Sequence, residues 1–105
     1  VARGADAMSA RETLELATLG GAQVLNRPDC GALIPGKRAD IAIWDVSGIE
    51  SAGSWDPVAS LILCGPTRVR DLIVEGREIV RAGQIKTFDI ACAITRQNRL
   101  AQKLI

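Results

Sequence analysis

No histidine and no tyrosine occur in the 105 residues, and the only aromatic side chains are Trp44, Trp55 and Phe88. Without histidine the chain cannot supply an imidazole to a metal, to a Ser-His-Asp triad or to a Cys-His pair. Three aromatic rings are too few for base-stacking platforms. Cysteine is sparse: Cys30, Cys64 and Cys92 lie far apart, are odd in number and form no C-x-x-C. That pattern excludes a disulfide framework and a zinc knuckle, and points to reduced, partly buried thiols. No apolar run approaches the roughly 18 residues that span a bilayer. The start, Val1-Ala2-Arg3-Gly4, has no apolar signal-peptide core and is expected to be interior to a longer sequence. Neither sign of charge dominates, with 13 Lys+Arg against 12 Asp+Glu for a net charge of +1. A nucleic-acid footprint and a polybasic membrane patch are therefore not expected, and a cytoplasmic location is.

What is present is an ordinary globular balance, 48% hydrophobic and 24% charged. It suits one small domain, or a piece of a larger one, with a radius of gyration near ~13 Å if compact. Ser9-Ala10-Arg11-Glu12 has the form of a capping box. Leu14, Ala17, Gly21 and Val24 follow at helical spacing, and Leu16 and Leu19 widen the stripe, so this helix wants two covered sides. Gly20-Gly21 permits a close backbone approach, or a break before a short second helix ending at Leu25. Ile34-Pro35-Gly36-Lys37 reads as a type II turn. Ala39–Asp45 reads as a strand covered on both faces, since Ile41, Ala42, Ile43 and Trp44 are all apolar. After a Gly/Ser-rich loop at 46–54, Asp56-Pro57 starts a short helix to about Leu63, which Gly65-Pro66 stops. Val69–Val74, Arg77–Arg81 and Gln84–Thr87 form an antiparallel meander through the tight turns Glu75-Gly76 and Ala82-Gly83. Asp89 caps a last helix to about Leu104, with Arg96, Arg99 and Lys103 on a solvated basic face.

Few side chains here suggest chemistry. Asp40 and Asp45 are five positions apart on one strand and so face opposite ways, which argues against a paired-carboxylate site. Asp40 is expected to bond nearby backbone in the turn, and Asp45 to end the strand. Glu12 is explained by its cap, and Glu15 by an i, i+4 pair with Arg11. Gly31-x4-Gly36-Lys37 matches a phosphate loop until Arg38, which stands where Ser or Thr would meet Mg²⁺. The context is also wrong: proline sits inside the motif, and a strand follows it instead of a helix. The residues alone describe an α+β domain without catalytic machinery.

The run Gly31-Ala32-Leu33-Ile34-Pro35-Gly36-Lys37-Arg38-Ala39-Asp40-Ile41-Ala42-Ile43-Trp44-Asp45 resembles G-x-L-x-P-G-K-x-A-D-[LI]-x-[VI]-x-D in the C-terminal region of metal-dependent amidohydrolases. Met8–Leu14 and Ala17–Ala22 resemble the last helical region of the same enzymes. Asp56–Ala59, Val69–Val74, Gly76-Arg77 and Val80–Gly83 continue the likeness in order. The nearest resemblance is to aminohydrolases of purine and triazine rings, such as 8-oxoguanine and guanine deaminases and chlorohydrolase-like enzymes. In that family a (β/α)₈ barrel holds zinc or iron through histidines and an aspartate. No residue here matches those ligands.

The resemblance thus implies no catalytic, cofactor-binding or metal residue in this chain, and no cofactor of its own. It implies an α+β fold made of a partial β-sandwich (a meander plus one strand) with flanking helices. By position, 1–28 is the last helical region of the barrel, 29–88 the C-terminal half of a composite β-sandwich, and 89–105 a C-terminal helix. The implied function is structural, within a hydrolytic deaminase acting on C–N bonds. The alternative is a stand-alone oligomerisation or interaction module derived from such an enzyme. The uncovered helix stripe and strand edges imply partners: the missing barrel and N-terminal strands, or further copies of the chain.

Overall fold

Ser9 opens the first helix as its capping box requires. The Ser9 backbone N–H donates to Glu12 Oε2 at 2.7 Å, and the Glu12 N–H donates to Ser9 Oγ at 3.2 Å. The structure is a computed structural model and describes residues 4, 7–64 and 68–104. Helix α1 (Ala10–Glu15) passes through a π-helical turn (Leu16–Gly20) into α2 (Gly21–Val24). The helical path therefore crosses Gly20-Gly21 without the break its sequence allows; it widens instead, and Thr18 Oγ1 donates back to the Leu14 carbonyl at 2.8 Å. The end is a Schellman motif. Asn26 takes a left-handed φ of 53°, its N–H reaches the Gln23 carbonyl at 3.0 Å, and the Arg27 N–H reaches the Ala22 carbonyl at 2.8 Å.

The returning chain lays its backbone on this helix at Gly31, not at Gly21. With φ at +86°, Gly31 sits so close that a Cβ there would lie 2.8 Å from Ala22 Cβ and 3.0 Å from the Thr18 carbonyl oxygen. Beside Gly21 the space is open. The Pro35-Gly36 turn forms as expected, with Gly36 at φ +90° and the Lys37 N–H donating to the Ile34 carbonyl at 3.1 Å.

Four strands make one open antiparallel sheet in the order β1 (Ile41–Trp44), β2 (Val69–Val74), β3 (Arg77–Arg81), β4 (Gln84–Ile85). Ile41 faces Ile73, Leu72 faces Val80, and Val80 faces Ile85. The β1 and β4 strands are shorter than the sequence pattern suggests. Both two-residue turns are of the left-handed kind that matches strand twist: Glu75 and Gly76 have φ of 50° and 78°, Ala82 and Gly83 of 49° and 74°. A short 3₁₀ turn (Ile49–Ser51) precedes α3 (Pro57–Leu63), where the Asp56 carboxylate caps the Val58 N–H at 2.9 Å. Gly65-Pro66, expected to stop α3, lie outside the described residues. The α3 helix packs on α1, while α4 (Ile90–Gln102), capped by Asp89, is exposed along its whole length.

Little is enclosed. Among the described residues only Ala22, Val80, Ser51 and Ser60 are buried, and none completely. The surface is 8777 Å², where a self-contained monomer of 11.2 kDa exposes about 5,700 Å². The radius of gyration is 17.6 Å, well above the ~13 Å of a compact chain. The strand expected to be covered on both faces is not: Ile41 is half-buried, and Ala42, Ile43 and Trp44 are exposed. Among the described residues the four strands form a single sheet, with no second sheet packed on it.

Candidate functional site

The six described aspartates all accept hydrogen bonds that shape the backbone or hold an arginine. Asp56 caps α3 and pairs with Arg11 at 3.4 Å, so Arg11 bridges α1 to α3 and does not form the expected pair with Glu15. Asp89 accepts from the Cys92 N–H at 3.1 Å. Asp45 accepts from the Ser47 hydroxyl at 2.6 Å and the Ser47 N–H at 3.0 Å, ending β1 as expected; those two bonds hold its carboxyl below the usual range. Asp40 reaches further than the turn beside it. Its Oδ1 accepts the Glu75 N–H, across the sheet, at 2.7 Å. Asp71 repeats this at the other hairpin, taking the Ala82 N–H at 2.9 Å and pairing with Arg70 at 2.7 Å. The Ala82 N–H first, and Arg70 second, hold the Asp71 carboxyl low.

A charged chain of contacts joins the loop after α2 to the sheet. Asp29 accepts from Arg27 through two bonds of 2.8 Å and from Arg38 Nε at 2.6 Å, while Arg38 also pairs with Glu75. Both arginines push the Asp29 carboxyl far below its ordinary range, and Asp29 in turn raises Arg27. The Arg38 backbone N–H donates to the Asp29 carbonyl at 2.8 Å. Arg38 thus clasps two loop segments and a hairpin, which explains an arginine where a phosphate loop needs Ser or Thr. Lys37 is engaged too, its Nζ donating to the Cys30 carbonyl at 3.2 Å. Neither the Arg38 clasp nor the Asp71 bond was read from the sequence; the only signal is an X-Asp pair (Ala39-Asp40, Arg70-Asp71) one strand over from each tight turn.

A catalytic divalent metal needs three or four converging His, Cys, Asp or Glu donors. Among the described residues no three such side chains come together. The aspartates are already engaged, and the cysteines are scattered, Cys30 half-buried but Cys64 and Cys92 exposed instead of partly buried. The described residues do not form a site for such a metal. The main concavities are apolar. A trough of about 650 Å³ runs between the α1–α2 path and β1, lined by Leu14, Ala17, Leu25, Leu33, Ile41 and Trp44. A groove of about 700 Å³ lies between Val69, Val80 and Ile85 of the sheet and Ile90 and Ile94 of α4. Arg96, Arg99 and Lys103 stand on exposed positions of α4 or just past its end. No helix among the described residues is long and apolar enough to cross a membrane.

Comparison with known proteins gives this arrangement a context. The amidohydrolase family profile matches residues 1–79. The 8-oxoguanine deaminase of Pseudomonas aeruginosa is 36% identical over 102 residues, which is 97% of this chain but 23% of that enzyme. A zinc-bound atrazine chlorohydrolase from Arthrobacter aurescens superimposes with a TM-score of 0.81 at 36% identity, over 89% of this chain and 21% of that one. A zinc-bound adenosine deaminase from Xanthomonas campestris does so with a TM-score of 0.80 at 31% identity, over 96% of this chain and 24% of that one. The chain spans less than a quarter of the length of each. By sequence and by fold, it belongs to the amidohydrolase family.

Proposed function

We propose that these residues are the non-catalytic C-terminal support of a metal-dependent aminohydrolase that acts on C–N bonds of purine- or triazine-like rings. In this reading 1–28 is the last helical region of the barrel, 29–88 the C-terminal half of a composite β-sandwich, and 89–105 a C-terminal helix. The observation that carries it is the uncovered surface. The excess over a self-contained monomer is about 3,000 Å², where an obligate dimer, with about 2,000–5,000 Å² buried in total, takes roughly 1,000–2,500 Å² from each partner. A much larger body, such as the remaining length of the related enzymes, fits that demand better than a second copy. The engaged carboxylates, and the lack of a converging ligand set among the described residues, support a role in holding shape. The related enzymes named above act on purine or triazine rings, two of them with zinc bound, and this supports the substrate class.

The test is to express the 105 residues alone and joined to an upstream barrel sequence, and to measure bound zinc and iron with release of ammonia or amine from 8-oxoguanine, adenosine and an amino-substituted triazine. Metal and turnover are expected in the longer polypeptide only. Stoichiometric metal or turnover in the 105-residue chain overturns the reading.

A further inference from the structure

We draw no further inference here: the strongest candidate, the apolar groove between the sheet residues Val69, Val80 and Ile85 and the exposed helix α4 at Ile90 and Ile94, is an unpartnered face, and nothing in the structure shows what covers it.

Discussion

Asp40 Oδ1 accepts the backbone N–H of Glu75 at 2.7 Å, across 35 positions of sequence. Beside it the Ala39 carbonyl takes the Gly76 N–H at 3.1 Å. The second hairpin repeats the device. Asp71 takes the Ala82 N–H at 2.9 Å, and the Arg70 carbonyl takes the Gly83 N–H at 2.7 Å. In a two-residue turn both central N–H groups point away from the ladder and need acceptors. Here the residues leading into β1 supply a carbonyl and a carboxylate to the first turn, and β2 supplies both to the second. Asp40→Ala is expected to lower stability by about 1 kcal/mol, and Asp40→Asn by less, since its amide oxygen can still accept. Urea midpoints of the longer polypeptide measure both.

The same turns hold residues that their geometry disfavours. Ala82 sits at φ 49°, where a Cβ crowds the backbone. Ala82→Gly is expected to stabilise by roughly 0.5–1 kcal/mol, and Ala82→Val to destabilise, because β-branching worsens the crowding. Ala59→Gly, inside α3, is expected to move the opposite way by about 1 kcal/mol. A thermal melt in which both glycine substitutions lower Tm contradicts the turn geometry.

Two glycines of one motif separate backbone strain from packing. Gly31 and Gly36 share positive φ, at +86° and +90°. Only Gly31 has a neighbour in the way, with Ala22 Cβ 2.8 Å from the position its Cβ would take. Gly36→Ala should cost about 1 kcal/mol. Gly31→Ala adds a clash with helix backbone and should cost about 2–3 kcal/mol. Equal losses in urea melts would mean that the loop does not lie on the helix.

Much of this was legible because it is local. Ser9 and Glu12, Asp56 and Pro57, Pro35 and Gly36, and the two hairpin turns announce themselves within four residues of sequence. The long-range partners were hidden. Nothing near Asp40 names Glu75, and nothing near Arg11 favours Asp56 over Glu15, because those choices depend on which elements the fold brings together. Gly21 was a natural candidate for a close approach by position in the helix, but Gly31 makes it by bringing its own missing side chain. The expected cover on both faces of Ile41–Trp44 failed for another reason: an apolar run does not say whether a second layer exists, and among the described residues the four strands form a single sheet with no second sheet packed on it. The same pattern explains the site. Carboxylates look like candidate acids until the turn N–H groups and arginines they serve are known.

Acid should loosen the molecule through those carboxylates. Asp29, Asp71, Asp45 and Glu12 are all held below their ordinary ranges, by Arg27 and Arg38, by the Ala82 N–H, by Ser47 and by Ser9 respectively. A depressed folded-state pKa means that the unfolded chain binds protons first as pH falls. Their contribution is therefore complete above the unfolded value of about 4 and declines as pH drops through the lower folded values. Urea midpoints should be flat in this respect from pH 7 to about 5 and then fall. Asp71→Asn should shallow that fall while lowering the neutral-pH midpoint. An unchanged acid slope in that variant would count against the Ala82 bond.

Leu33 gives the sharpest test of what lies over the trough. It is 74% exposed, in a wall it shares with Leu25 and Trp44. On a self-contained domain, replacing so exposed a leucine by aspartate changes stability by no more than about 0.5 kcal/mol. Under a protein cover the same change buries an unpaired carboxylate, and a loss of more than about 3 kcal/mol is expected. Leu33→Asp should therefore sharply lower Tm in the longer polypeptide. In the 105-residue chain the trough has no cover, so sedimentation is expected to show self-association, which Leu33→Asp should weaken. A longer polypeptide indifferent to the substitution, with a strictly monomeric short chain at high micromolar concentration, would mean that this face meets solvent and that the surface excess has another origin.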